Sequence, residues 1–234
     1  MNLLFSFFNT LFIQPLYNLL IFFIWILPGN SLGGAIILLT LLIRILLFPL
    51  QQRAIHFQLK LQEIQPKVKE VQKKFKDDML KQAEELQKIY KEHKFNPFSN
   101  LLIWIIQIPV LYALFRVLLR IVDSNNNHLL YSFTPSPESF NTYFLGIDLS
   151  KPSLVLIAVL IFLQFLQVKF LGRNTKQSLS QIIFTFGFSI FIGLIFLRFP
   201  SALVLYILTS TLFGFIQQEF TRRKYERSRT KKSN

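Results

Sequence analysis

The chain has 234 residues, 52 % of them hydrophobic, with 27 Phe, a mean hydropathy of +0.42 and a formal net charge of +14. That composition describes an integral membrane protein and leaves room for one membrane domain and one polar insertion, not for a second globular domain. The absence of Cys excludes disulfides, thiolate metal sites and a lipid-modified N-terminal cysteine.

Residues 1–30 come first. Positions 3–27 are apolar but interrupted by Asn9, Gln14, Pro15 and Asn18. No Lys or Arg precedes them, so the basic start of a cleaved signal peptide is missing. An interfacial helix lying on the outer leaflet is the first expectation. A sixth span is the alternative. The Pro28-Gly29-Asn30-Ser31 turn signal ends the segment.

Residues 31–53 hold the first core span, read near 33–50. Arg44 sits in it as the only charge between Met1 and Gln52. A guanidinium at mid-bilayer costs about 2.5–3.5 kcal/mol on insertion scales, and it stays protonated. No Asp or Glu lies inside any apolar run. Arg44 therefore requires a water-filled cavity within a membrane domain.

Residues 54–96 form the polar insertion. Phe57, Leu61, Ile64, Val68, Val71 and Phe75 recur at alternating spacings of four and three, the seam of a coiled coil. Asp77-Asp78 interrupts the seam, and Met79, Leu86, Ile89 and Tyr90 resume an apolar stripe. This reads as a helical hairpin with its turn near 76–79. Pro66 is expected to kink the first arm or to mark a break near its start. Asn96-Pro97 closes the hairpin.

Residues 97–220 supply four further core spans, near 101–122, 153–171, 180–197 and 200–217. They include an Asn-, Ser- and Pro-rich outer loop over 123–152. Residues 221–234 form a basic tail that reads as a disordered arm. The charges set the topology. Residues 51–99 hold eleven Lys/Arg, 169–178 three and 217–234 seven, whereas 123–150 hold none against three acids. By the positive-inside rule the first three segments are cytoplasmic and 123–150 faces out. Arg116, Arg120, Lys151 and Arg198 fall at outward ends, where long stems can snorkel. The chain is thus expected to be an all-α, multi-pass protein of the cell membrane: a five-helix transmembrane bundle with an N-terminal interfacial helix and a cytoplasmic helical hairpin. Its C-terminus is cytoplasmic, and its N-terminus is outside if 3–27 is interfacial.

Each span carries polar residues. Thr40 lies four residues from Arg44 on one helix face. Gln107, Gln164, Gln167, Thr185, Ser189, Thr209, Ser210, Thr211, Gln217 and Gln218 follow. If they converge, they line a hydrophilic pocket for an anionic or strongly polar guest, with Arg44 as its fixed charge. For any single one, a hydrogen bond to a neighbouring helix is the plainer reading, worth about 0.6 kcal/mol. Conventional catalysis finds no support. His56, His93 and His128 are not spaced with acids for metal binding, no nucleophile or phosphate-binding motif occurs, and no cofactor is implied. The tail cations Arg222, Arg223, Lys224, Arg227, Arg229, Lys231 and Lys232 suit anionic lipid or ribosomal RNA phosphates.

Six fragments, in order, resemble the YidC/Oxa/Alb family of membrane protein insertases from about residue 14 to 223. They are Thr40–Leu50 around Arg44; Ile64-Gln65-Pro66; Leu86–Pro97; Gln107–Val110 with Tyr112–Leu114; Phe144–Leu149; and Phe199–Tyr206 with Ile216–Gln218. The Asn96-Pro97 motif departs from the family by continuing into Phe98-Ser99-Asn100. The resemblance implies a minimal five-span bacterial form without a large outer domain. It also implies a hydrophilic groove, open to cytoplasm and lipid, in which a client's polar tail parks near Arg44. The client's helix then slides along an edge holding Pro109, Leu111, Tyr112 and Tyr206, without nucleotide hydrolysis and without enzyme activity. Nascent membrane proteins, the ribosome, the Sec translocon, the signal recognition particle and anionic lipids are the implied partners of a monomer. Two other readings stay open from the residues alone: an anion or small-molecule transporter anchored on Arg44, and a membrane adaptor that binds ribosomes or lipid.

Overall fold

The structure is a computed structural model that describes residues 3–93, 99–122, 129–135, 137, 139–171 and 179–233. The elements run α1 (Leu3–Phe8), a π-helical turn (Asn9–Ile13), α2 (Gln14–Ile26), a 3-10 turn (Pro28–Asn30), α3 (Leu32–Leu46), α4 (Phe48–Lys74), α5 (Met79–Glu92) and α6 (Ser99–Val122). Strands β1 (Tyr143–Phe144) and β2 (Ile147–Asp148) follow, then α7 (Leu154–Leu171), α8 (Leu179–Phe196) and α9 (Ser201–Ser233). The chain is, among the described residues, an all-α membrane protein apart from this one small hairpin. Among the described residues, Ser6–Ile26 and Ser201–Arg227 are each long and apolar enough to cross a membrane. A third crossing results if the broken pair Leu32–Leu46 and Phe48–Lys74 counts as one. Asn96-Pro97 and the 172–178 loop lie outside the described residues.

Two compact units divide the chain. The first holds residues 1–46 and 108–215. Its core joins α2 (Leu20, Ile24), α3 (Leu32, Ile36, Leu39), α6 (Leu114, Val117, Leu118, Ile121) and α9 (Ala202, Leu205, Tyr206). On α3 and α6 these residues recur every three or four positions, the single apolar stripe a helix needs to pack on one side. A smaller cluster seats Ile157 and Leu160 of α7 against Val204 and Leu208 of α9. The N-terminal helix runs lengthwise beside α6. The Phe8 ring lies 5.6 Å from Tyr112, and ten residues on Asn18 bonds Leu129, just past the end of α6.

That Asn18 is buried and fully used. Its Nδ2 donates to the Gln14 and Leu129 carbonyls, and its Oδ1 accepts from the Tyr131 N–H and the Thr134 hydroxyl, all at 2.8 Å. The loop between α6 and α7 is fixed at a second place. Leu32 N–H donates to Asn141 O (3.0 Å) and Asn141 N–H to Asn30 O (2.9 Å). Ser201 N–H donates to Lys151 O (2.9 Å) and Ala202 N–H to Leu149 O (3.0 Å). The loop thereby supplies carbonyls to the first N–H groups of both α3 and α9, which have no partner within their own helices.

Between these bonds the chain makes a two-residue hairpin, Tyr143 opposite Asp148 and Phe144 opposite Ile147. Leu145 (φ 51°) and Gly146 (φ 80°) both lie in the left-handed region, a type I′ turn that sequence reading missed because it lacks Asn-Gly. Phe144 packs flat on α3 at Gly33, where a Cβ would lie 2.4 Å from the ring.

The second unit holds residues 47–107 and 216–234. Here α4 turns at Phe75–Asp78 and α5 packs back on it, with Asp78 capping α5 through Lys81 N–H at 3.0 Å. Gln82 Nε2 donates to the Gln72 and Phe75 carbonyls, and Lys67 Nζ meets His93 Nε2 at 3.2 Å. The partners 72 with 82 and 67 with 93 give an antiparallel pair. Pro66 was expected to kink the first arm or to mark a break near its start, and of these the break does not occur, since α4 passes through it. The site is exposed, so water can take the carbonyl that the ring leaves unbonded.

The tail is also helical, since α9 runs unbroken to Ser233, not a disordered arm. Glu219 accepts from Arg222 at 2.9 and 3.0 Å and from Arg223 at 2.7 Å, and Arg222 reaches Glu226 at 3.4 Å. These pairs, three and four residues apart, support the helix where its composition turns polar.

Candidate functional site

Pro49 decides where Arg44 sits. Pro49 has no N–H for the Ile45 carbonyl and its ring would clash with it in a continuous helix, so α3 stops at Leu46 and α4 restarts at Phe48 with the proline in its first turn. Arg44 therefore occupies the last turn of α3, where the carbonyl ends of the helix favour a cation. Reading the span through to residue 50 placed it deeper within a helix.

The guanidinium lies against α9. Its Nε donates to Ser210 Oγ at 2.8 Å, and its Nη2 donates to the same oxygen. Tyr206 lies four residues back from Ser210 on the same helix face, close enough for the Arg44 charge to act on its phenol. Four residues forward, Gly214 lies beneath Nη1, where a Cβ would stand 3.7 Å away. Tyr206, Ser210 and Gly214 thus form one stripe that receives the arginine. Ser210 and Tyr206 are buried while Arg44 is half-buried, so the guanidinium is neither fully enclosed nor stretched clear of the protein. Its partner on α9 is a neutral hydroxyl. Helices α3, α6, α7 and α8 and residues 201–218 contain no acid in sequence, so the positive charge persists.

The other candidates fall in three groups. Thr40 and Thr209 are occupied by their own helices: Thr40 Oγ1 donates to Ile36 O at 2.6 Å and Thr209 Oγ1 to Leu205 O at 2.9 Å. Gln164 and Gln167 are half-buried on α7, each seven residues beyond Ile157 and Leu160, and so continue the face that meets α9. Ser189 is buried on α8. The side chain of Gln107 lies outside those described. Sequence reading placed Thr209 in the groove, and the residue that meets Arg44 is its neighbour Ser210. The 206/210/214 spacing puts a tyrosine, a small polar residue and a glycine on one face, though Thr211, three residues before Gly214, shares a face with it as well.

Of the four edge residues, Leu111 and Tyr112 are 44 % and 43 % exposed and Pro109 is half-buried, but Tyr206 is only 6 % exposed. Its ring packs in the first unit's core. In the tail, Arg222 and Arg223 are tied to Glu219, whereas Lys224 and Arg227 are exposed. Arg229, Lys231 and Lys232 continue the helix, with side chains outside those described.

Comparison with known proteins gives a consistent picture. The model of the family described as 60Kd inner membrane protein matches residues 24–229. The chain is similar to the protein named membrane protein insertase YidC of Aquifex aeolicus, 31 % identical over 207 residues, covering 88 % of this chain and 38 % of that one. It resembles the YidC of Wolinella succinogenes, at 31 % over 219 residues, 94 % of this chain and 38 % of that one. A third, from Magnetococcus marinus, is 32 % identical over 213 residues, 91 % of this chain and 36 % of that one. The chain thus spans a little over a third of the length of these relatives.

Proposed function

This chain belongs to the 60Kd inner membrane protein family, and on that premise we propose that it inserts client transmembrane segments into the cell membrane and helps them fold. The observation that carries the proposal is Arg44, held half-buried against a neutral serine at the end of an apolar helix. A client's polar, acidic tail parks beside it and gains a charge-assisted partner. That shortens the hydrocarbon path the tail must cross. Burial of the client's apolar helix in lipid, at about 25 cal/mol per Å², then drives insertion without nucleotide.

The exposed apolar side chains Ile108, Leu111 and Tyr112 of α6 and Leu212 of α9 support a slide for that helix. Tyr206 contributes from behind, on the stripe of α9 that receives Arg44. In this reading α3, α6, α7, α8 and the first half of α9 are the five core spans. The α4–α5 pair is a cytoplasmic coiled-coil hairpin that receives clients from the ribosome, the signal recognition particle or the Sec translocon. The basic end of α9 adds affinity for ribosomal RNA or anionic lipid. The C-terminus is cytoplasmic. Lengthwise packing of the N-terminal helix beside α6 favours the crossing alternative for residues 6–26 over the interfacial one, which puts the N-terminus inside.

Arg44→Ala should reduce insertion of a client with an acidic translocated tail by about tenfold, the lower end for losing a hydrogen bond to a charged group, while Arg44→Lys keeps most of it. Equal insertion by all three proteins would remove the electrostatic part of the mechanism. A photo-crosslinker at Leu111 or Leu212 should capture the client helix, and one at buried Ile24 should not. A transporter anchored on Arg44 predicts no crosslink to a nascent segment at either position.

A further inference from the structure

Arg116 and Arg120 lie one turn apart on the outer half of α6, about 6 Å along the axis at 1.5 Å per residue. They face the same side, close enough for each charge to act on the other. Arg116 makes no ion pair among the described residues, and its Nε–H is shielded from solvent with no hydrogen-bond acceptor. A guanidinium in that position, beside a like charge, is stabilised by an anion and by little else. The phenols of Tyr17 and Tyr112 flank Arg120.

The level of the pair in the fold identifies the source of the anion. Val122 ends α6 two residues beyond Arg120. Phe115, next to Arg116, packs 5.4 Å from Phe199 in the turn between α8 and α9. Exposed Trp25, Phe133 and Tyr143 collect at this same loop-bearing end, the aromatic girdle that marks headgroup depth. We propose that Arg116 and Arg120 form a binding site for the phosphate of an anionic phospholipid in the leaflet that this end of the first unit meets. The site is separate from Arg44 and needs none of the insertion mechanism. Both guanidiniums offer the planar fork that fits a phosphate.

Native mass spectrometry of the full chain in detergent tests this, with phosphatidylglycerol and phosphatidylcholine of matched acyl chains as probes. Wild type should retain phosphatidylglycerol preferentially. Arg116→Gln with Arg120→Gln should weaken that retention about 25-fold, roughly fivefold for each cation near an anionic headgroup, while Arg198→Gln changes it less than twofold. Binding at the basic tail is common to all variants and cancels in the ratio. If the double variant does not fold, as judged by helical circular dichroism, Arg120→Gln alone should cost about fivefold. The proposal is overturned by unchanged retention in the folded variants, or by equal retention of the two lipids. Displacement of the lipid by equimolar inorganic phosphate would also overturn it, since the site would then take free phosphate.

Discussion

Two polar regions of the first unit are built on opposite plans. Around Asn18 and across residues 139–151, donors and acceptors are matched one to one: Asn18 uses both ends of its amide, and the loop carbonyls close the starts of α3 and α9. At Arg44, a full positive charge rests on a serine hydroxyl. Matched groups neutralise one another and hold a shape. A charge held by a neutral partner keeps its field, and its position matters more than the energy of its bond. The first region is architecture, and the second, in the function proposed for it, reads a guest.

Substitutions can break that contrast. The largest stability loss is expected at Asn18→Ala, which strands Leu129 O, Tyr131 N–H and a hydroxyl inside the protein. At about 1–3 kcal/mol for each buried group left unmade, several kcal/mol should go, visible as a lowered Tm in detergent. Arg44→Ala should leave Tm within a few degrees while insertion falls. If their effects were exchanged, the assignment of roles would be wrong. Next comes Gly33→Ala, whose methyl meets Phe144 at 2.4 Å. Displacing that ring from α3 should cost about 1–3 kcal/mol without altering client choice.

Ser210→Ala is smaller and sharper. It should shift stability by about 1 kcal/mol yet weaken preference for acidic over neutral client tails, because Arg44 loses its anchor; an unchanged preference would mean the serine only packs. Leu145→Asn should stabilise by about 1 kcal/mol, since Leu145 is 87 % exposed and held in a left-handed conformation that favours Asn or Gly. The weakest effect concerns acid. Hydrogen bonds from the Ser150 hydroxyl (2.6 Å) and N–H (3.0 Å) hold the Asp148 carboxyl below the ordinary value of 3.8. A lowered folded value adds stability above the unfolded one and loses it as pH falls through the folded one. Unfolding followed from pH 6 to pH 2, roughly spanning that window, should show an acid-sensitive step that is absent in Asp148→Asn.

Much of the helical skeleton was legible because a bilayer leaves few choices for an apolar run. The break after Leu46 was legible too: Pro49 enforces it, and only the length of the apolar run hid it. The tail helix was missed because seven cations in residues 222–232 outweighed Glu219 and Glu226, whose pairs support it. What lay beyond reach was long-range. Nothing near Arg44 names Ser210, 166 residues away. Nothing near Asn18 shows that it will pin a loop 111 residues on. Tyr206 illustrates the same limit, since an apolar helix does not tell which side meets lipid until its neighbours are placed.

The Ser201 and Ala202 bonds to Lys151 and Leu149 also set a timetable. The first unit's core includes Tyr206, which leaves the ribosome about 160 residues after α3 is complete, roughly 8–30 seconds at ordinary translation speeds. Throughout that interval Arg44 is already made and Ser210 is not. Biogenesis of this protein therefore poses the problem it is proposed to solve for others: a half-built chain has to keep a charged helix soluble in lipid until its last partner arrives.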